Sequence, residues 1–285
     1  MPAYLCPVCD ASLVNSFYDW HMSCTVCGYE KSDLLPTINE QSAHEHIDES
    51  MRETGLRDLR VSNFRILLDV IRKFKSEGGR LLDVGCAHGW FVEQAMTEFD
   101  VLGVEPDSVV FQSAAARGLP VRLGYFPEAL EASEKFDVIV FNDVIEHIPE
   151  IAKVVASCRD RLIDGGYLVI NLPSSRGFFY KLSKLLARIG YGVFFERLWQ
   201  KGLPSPHVHY FNEDNLSALL KRNNFTTMHN GRLAVLGLAG LHTRISYTGN
   251  MGAALRLIIY VLVAISLPVL RLLPSDIIYS ISKKS

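Results

Sequence analysis

The stretch at residues 81–91, Leu-Leu-Asp-Val-Gly-Cys-Ala-His-Gly-Trp-Phe, constrains this chain more than any other. An apolar run, Arg80-Leu81-Leu82, feeds directly into Asp83-x-Gly85-x-x-x-Gly89. A short apolar run closed by glycines reads as a buried strand that turns sharply into a helix. The next apolar run, Val101-Leu102-Gly103-Val104, ends on an acid, Glu105. A glycine turn on one strand end, beside an acid on the tip of the next, is an arrangement that grips a nucleoside. The acid takes the ribose hydroxyls, and the glycines let backbone approach the rest. The dinucleotide fingerprint Gly-x-Gly-x-x-Gly is absent.

From residue 80 onward, strand and helix patterns alternate. Strands are predicted over residues 80–84, 101–105, 120–123, 136–141 and 166–171, and helices over 89–98, 107–117, 150–162 and 212–223. Gly118 ends one helix, Asn212 followed by Glu213 and Asp214 starts another, and Gly165-Gly166 turns the chain into the fifth strand. Upstream, Phe64, Leu67, Leu68 and Ile71 recur at helical spacing over residues 62–75, with Ser62 as N-cap. This rhythm predicts an α/β, doubly wound, mostly parallel sheet with helices on both faces.

The first 30 residues hold Cys6-Pro-Val-Cys9 and Cys24-Thr-Val-Cys27, with 14 residues between the pairs. Four thiolates in two such knuckles suit tetrahedral Zn²⁺, so Cys6, Cys9, Cys24 and Cys27 are read as a small zinc ribbon. A closed set of four protein ligands makes the metal structural, and it would supply the folding free energy that so short a segment lacks. Redox pairs are the alternative, but no βαβ pattern surrounds them. His21 is read as a surface residue rather than a substitute ligand. His44 and His46, flanking Glu45, are read as a solvated loop.

At 285 residues, 48% apolar and 21% charged, the chain has room for one large domain and a small one. A net charge of −2 gives no overall pull toward nucleic acid. The charge is uneven: residues 1–60 carry four Lys/Arg against ten Asp/Glu, and residues 172–205 carry six Lys/Arg against one acid. The N-terminus lacks the basic start and apolar core of a signal peptide. With paired cysteines suited to metal, this predicts a cytoplasmic protein.

Four motifs occur in a fixed order: the glycine turn, Val104-Glu105-Pro106-Asp107, the run Phe136-Asp137 through Asn142-Asp143-Val144-Ile145-Glu146-His147, and Leu162 through Gly165-Gly166 to Asn171. In these the chain resembles the class I S-adenosylmethionine-dependent methyltransferases over residues 78–230, nearest the branch of ubiquinone-biosynthesis O-methyltransferases. The resemblance implies a Rossmann-like, seven-stranded sheet and a methyl-donor site. It places Asp83, Gly85, Cys86, Ala87 and Gly89 at the methionine end and Glu105 with Pro106 at the ribose. Tyr125 and Phe126, after the third strand, are placed to flank the adenine, and Asn142, just past the fourth, sits where the cleft opens. Asp107 is better placed than Glu105 to cap the following helix. The family usually has Gly where Ala87 stands, and alanine fits if its φ stays negative.

A hydroxyl acceptor reacts faster once it loses its proton, so a base or a metal is expected. If residues 143–147 are helical, Asp143, Glu146 and His147 share one face. In the resembled enzymes the matching acid-x-x-Glu-His can bind a divalent cation; His147 alone as base, or a turn that merely shapes the cleft, are the alternatives. In His207-Val-His209-Tyr210 the two imidazoles share one side if the run is extended, and His209 is a second candidate, with lid packing as the alternative.

The expected division is ribbon 1–35, acidic linker 36–61, methyltransferase domain 62–245 with an acceptor-side insert at 172–211, and an apolar tail at 250–285. In the insert, Phe178, Phe179, Leu182, Leu185, Leu186 and Ile189 form one helical face, and Lys181, Lys184 and Arg188 lie on another. That pattern suits a membrane surface, as does the apolar run at 257–270, which is too short to span. The expected acceptor is therefore small or lipid-linked: a quinone precursor, phenol or saccharide, met at the inner face of a membrane, with no nucleic acid partner. RNA base methylation, sugar C-methylation and a non-catalytic scaffold are the competing readings.

Overall fold

The computed structural model describes residues 4–38, 49–238, 240–242, 245 and 252–285. Its central sheet begins with β4 (Arg80–Val84), whose last four residues are all buried, as a strand covered on both faces requires. β5 (Asp100–Glu105), β6 (Val121–Leu123), β7 (Phe136–Asn142) and β8 (Leu162–Pro173) join it in parallel. Two antiparallel strands, β10 (Phe225–Arg232) and β11 (Ile277–Lys284), complete seven, in the order β10-β11-β8-β7-β4-β5-β6. Connections run one way from β4 to β5 and the other way to β7, so the crevice opens at the carboxyl ends of β4 and β7.

The helices are α1 (Glu49–Phe74), α2 (Trp90–Ala95), α3 (Ser108–Ala116), α4 (Ile151–Arg161), α5 (Phe178–Arg188), α6 (Val193–Leu198), α7 (Glu213–Arg222) and α8 (Ala253–Leu270). Local chemistry fixes several ends. The Asp107 carboxylate accepts from the Val109 and Val110 N–H groups to start α3. Asn212 and Asn215 form a reciprocal capping box on α7. Gly118 leaves α3 at a φ of 75°.

Three expectations need correction. Helix α1 starts at Glu49, not Ser62, so half of the predicted linker is helical and Ser62 faces solvent from mid-helix. Strand β8 begins at Leu162 and absorbs Gly165-Gly166 as an irregularity instead of starting after them. The tail is not one unit: β11 lies in the sheet between β10 and β8. Its buried Ser280 and Ser282 disguised it; those hydroxyls bond each other and Thr227. His44, Glu45 and His46 lie outside the described residues.

The cysteine module does not stand apart either. Its strands β1 (Leu13–Asn15), β2 (His21–Cys24) and β3 (Glu30–Ser32) continue into β9 (His209–Tyr210), giving a four-stranded sheet across the chain. Cys6, Val8, Cys24 and Tyr29 share one core with Phe211, Leu216 and Leu220. His21 is fully buried, contrary to the surface reading, and its Nε2 meets Glu30 at 2.9 Å. The same carboxylate accepts from the Tyr180 hydroxyl at 2.7 Å and the Lys184 ammonium at 2.8 Å, both on α5. Burial opposes its charge, but His21 and Lys184 outweigh it and hold Glu30 below the usual carboxylate range. This knot ties β3 to α5.

Removing that carboxylate leaves buried donors without an acceptor. Glu30→Ala should destabilise the fold by about 3 kcal/mol, measured by denaturant unfolding at neutral pH. Because the Glu30 pKa is lowered, its contribution is present above the unfolded pKa and fades as pH falls, so the gap between Glu30→Ala and the parent should narrow in acid.

Candidate active site

A cleft of about 450 Å³ opens at the carboxyl ends of β4, β5 and β7, within the range of small-molecule sites. Gly85, with a φ of 67°, turns the chain out of β4, and Gly89, at 73°, caps α2. A Cβ on Gly85 would lie 2.7 Å from the Val144 side chain across the crevice, so only glycine fits this floor. Beside it, the Glu105 carboxylate accepts from the Ala87 N–H and the Asp107 N–H, each at 2.8 Å. One acid thus locks the two loops that frame the cleft.

Ala87 departs from expectation. Its φ is 46°, in the left-handed region that the sequence reading wished it to avoid. The cost for an L-residue is about 1–2 kcal/mol, comparable with a hydrogen bond to a carboxylate at about 1.5–3 kcal/mol. Its N–H bond to Glu105 is the compensation.

Gly85, Ala87, Glu105, Pro106, Tyr125, Asp143 and His147 all line the cleft. Asp83, Cys86, Gly89, Asn142, Glu146 and His209 do not stand on its wall. Asp83 is buried behind it and takes a bond of 3.3 Å from the Asn142 amide. Cys86 packs beneath Gly103, where an added Cβ would meet its Sγ at 2.7 Å. Burial pushes Asp83 up to about 8, with Glu105 nearby adding to the shift, and burial pushes Glu105 up to about 7.

Asp143, Glu146 and His147 do not share a helix face. Asp143 has a φ of 54° at the end of β7, and a single 3₁₀ turn, Ile145–His147, follows. The side chains within reach of one ion are Glu146, His147 and His207, whose candidate ligand atoms lie within 4.8 Å of one another. Glu146 is buried, and neither carboxylate oxygen has a hydrogen-bond partner among the described residues. Burial, then the charge of Asp143, pushes its pKa well up. His147 Nδ1 meets the Pro206 carbonyl at 2.9 Å. A carbonyl only accepts, so the proton sits on Nδ1 and Nε2 carries the lone pair.

His209 is a structural residue here. The Tyr29 hydroxyl bonds its Nδ1, and its Nε2 meets the Ile148 carbonyl at 2.9 Å. Burial pulls its pKa down to about 4, so it stays neutral. It braces the turn carrying His147 from behind. Several wall residues lie outside the sequence expectations. Arg60 on α1, Gln200 after α6 and Ile38 in the predicted linker all line the cleft. A lone arginine on a helix gives no local signal, since only the fold turns it inward.

The four cysteine sulfurs form one group. Cys6 and Cys27 Sγ lie 3.5 Å apart and Cys9 and Cys24 Sγ 3.4 Å apart, with no disulfide. A tetrahedron of thiolates around Zn²⁺ has edges of about 3.8 Å, so the donor set fits that ion. Each knuckle closes on a left-handed residue, Asp10 or Gly28, whose N–H returns to the carbonyl of Cys6 or Cys24.

The profile of the methyltransferase domain family matches residues 56–230. The chain is 35% identical over 101 residues to a ubiquinone biosynthesis O-methyltransferase from Sinorhizobium medicae, an alignment covering 33% of this chain and 41% of that one. It is 34% identical over 137 residues to the Nitrosococcus oceani protein of the same name, covering 45% and 56%. The matched part is thus about half of these relatives' length. Among solved structures, an S-adenosylmethionine-dependent methyltransferase from Thermotoga maritima superposes with a TM-score of 0.57 at 15% identity, covering 84% of this chain and 96% of the other. Magnesium protoporphyrin IX methyltransferase from Synechocystis, solved with bound S-adenosylhomocysteine, gives 0.50 at 13%, covering 80% and 86%. This chain belongs to the methyltransferase domain family, and its class is that of the S-adenosylmethionine-dependent methyltransferases.

Gly85→Val should lower S-adenosylmethionine affinity at least ~100-fold, because the new side chain meets Val144 and the left-handed φ both at once. The ribose role expected of Glu105 requires its ionised form. Binding at pH 6–7 should therefore release protons, and affinity should weaken as pH falls below about 7. Calorimetry in buffers of different ionisation enthalpy measures both effects.

Proposed function

We propose that the protein transfers the methyl group of S-adenosylmethionine to a hydroxyl oxygen on a small or lipid-linked acceptor, such as a phenol, quinone precursor or saccharide. The observation that carries this reading is the cleft itself, which faces the Glu105 bracket with His147 held in one tautomer. Bound S-adenosylmethionine supplies a methyl group on a sulfonium, which an acceptor oxygen displaces in line. Glu105 takes the ribose hydroxyls. Gly85 and Ala87 let the methionine end lie against backbone, and Arg60 offers its carboxylate a cation. Asp83, braced by Asn142, favours the amino end. His147 Nε2 receives the acceptor's proton, and its Nδ1–H bond to Pro206 keeps the ring oriented as charge develops.

A second reading rests on the same corner. The unsatisfied Glu146 carboxylate beside His147 and His207 is a donor set for a divalent cation, which would lower the acceptor's pKa instead. The Gln200 amide 2.8 Å from His207 Nε2 would have to move for His207 to bind through that nitrogen.

The four cysteines hold a structural Zn²⁺. The surface running from α5 into α6 supports a membrane-side acceptor: Leu185, Ile189 and Phe194 are each more than half exposed. Lys184 does not join that surface, since it pairs with Glu30. The protein is read as cytoplasmic. Nucleic acid is disfavoured by the acids lining the cleft, Glu105 and Asp143, against one arginine.

His147→Ala should cut kcat about 10²–10⁴-fold while leaving S-adenosylmethionine affinity unchanged, in an assay of S-adenosylhomocysteine release across phenols, glycans and lipid-linked sugars. Retained turnover would sink both the base and the cation. Loss of activity on EDTA treatment, restored by Mg²⁺ or Mn²⁺ and absent in Glu146→Gln, would favour the cation. Mass spectrometry under native conditions should find one zinc per chain, lost in Cys24→Ser.

A further inference from the structure

Helix α8 presents a surface that nothing in the methyl-transfer reading uses. It is 18 residues long with a mean hydropathy of 2.3, and Leu267 is its one buried residue. Leu257, Leu262, Ile265 and Val269 are each more than 60% exposed. A helix on the surface of a soluble domain turns polar residues outward; one that is apolar all round belongs in a core or in lipid. This helix is not in the core.

The chain path says how it meets lipid. Strand β10 ends at Arg232, which is paired with Ile278 near the start of β11. The excursion between them therefore leaves and returns at neighbouring positions of one sheet. A single membrane crossing would put its ends on opposite sides. Two crossings would need a second run of about 20 apolar residues, and residues 242–250 include His242, Thr243, Arg244, Ser246 and Asn250. The segment must enter and leave by the same face.

Charge identifies the surface. No acidic residue occurs between Asp214 and Asp276, whereas Lys221, Arg222, Arg232, Arg244, Arg256 and Arg271 do. Arg256 and Arg271 bracket the apolar helix, and Arg232 and Arg271 line the pocket at its foot beside Phe178 and Phe179. A second copy docked on α8 about a two-fold axis would set these arginines against each other with no acid on the helix to meet them. Anionic headgroups meet them directly.

We propose that α8 seats in one leaflet of an anionic bilayer, with Arg256 and Arg271 at the headgroups; Arg232, at its foot, faces Glu213 at 3.7 Å. The geometry also sets the enzyme's orientation. Ile277 pairs with Pro173, the last residue of β8, so the excursion emerges at the carboxyl ends of the parallel strands. That is the edge at which the cleft opens. Seating α8 therefore turns the cleft mouth toward the bilayer, where a lipid-linked acceptor would present its head. The anchoring stands whether or not that acceptor reading holds.

The test is flotation of the full-length protein with vesicles of phosphatidylcholine alone or with about 30% phosphatidylglycerol, with S-adenosylmethionine affinity measured in parallel. The protein should float with the anionic vesicles. The double variant Leu262→Asp/Ile265→Asp, at exposed positions, should reduce the bound fraction at least ~10-fold with unchanged cofactor affinity. Arg256→Gln and Arg271→Gln should each weaken binding about fivefold. If the parent stays in the aqueous fraction, or the aspartate variant floats as well, the anchoring is wrong. A dimer in light scattering that Leu262→Asp dissociates, without flotation of the parent, would assign the face to a second copy instead. Failure of cofactor binding in the parent would count against the methyltransferase reading and leave the anchoring to the flotation result.

Discussion

The Glu105 carboxylate does two jobs that ordinarily conflict. It accepts from Ala87 N–H and Asp107 N–H, so it holds the turn after β4 and the turn after β5 in one frame. It is also the acid that a bound ribose would use. A carboxylate has capacity for about four hydrogen bonds, so two backbone donors leave room for two hydroxyls. Without its bond to Glu105, Ala87 would keep a left-handed backbone with no compensation. On the proposed reading, the shape of the cleft and its hold on a ribose therefore depend on the same oxygens. Burial makes that acid reluctant to ionise, which couples its charge to the arrival of donors.

The turn that carries His147 is held from behind by much more distant parts of the chain. Val208 N–H bonds the Glu146 carbonyl at 2.8 Å, and Ser32 N–H bonds the Val208 carbonyl at 2.9 Å. The Ser32 hydroxyl bonds the His207 carbonyl at 2.7 Å. The path from β3 to the 3₁₀ turn is thus continuous backbone and side-chain hydrogen bonding, reinforced by Tyr29 and His209. The cysteine module is packed through β9 against the turn that carries His147 rather than standing apart as an appended domain. A thiolate-bound ion at Cys6, Cys9, Cys24 and Cys27 would stiffen the turn from β2 into β3 that carries Tyr29, and through Tyr29 and His209 the turn that carries His147.

How much of this was legible depends on how local each cause is. The glycine turn, the Glu105 tip, the Asp107 cap and the Asn212 cap were readable because each is settled within a few residues of its own sequence. The two cysteine pairs were readable because ligand spacing is local too. Strand β9 was not, because two residues paired with β3 some 180 positions away leave no periodicity. His21 and Glu30 look like surface residues until each supplies the other's burial cost. The sign of φ at Ala87 depends on a bond from another strand, which no window around Ala87 contains. The Asp143, Glu146 and His147 face failed for a related reason: the strand end at Asn142 leaves room for only a single 3₁₀ turn, and His207 takes the place that Asp143 was given.

The position of the α8 excursion is itself informative. Strands β10 and β11 are antiparallel neighbours whose register runs from Phe225 with Lys284 to Arg232 with Ile278. Strand β11 is held on its other side by β8 from Ile277 to Lys283. The pairing on both flanks is complete before the chain leaves the sheet. What joins Arg232 to Ile277 can therefore be long and apolar without altering the register of any strand, since loop closure costs rise only slowly with length. A hairpin connection at the opposite edge would be equally tolerated but would point away from the cleft. Only at this edge does an apolar connection share its exit with the strand ends that bind ligands. The pairing that hides β11 in the sheet is thus also what makes the α8 excursion emerge at the carboxyl ends of the parallel strands.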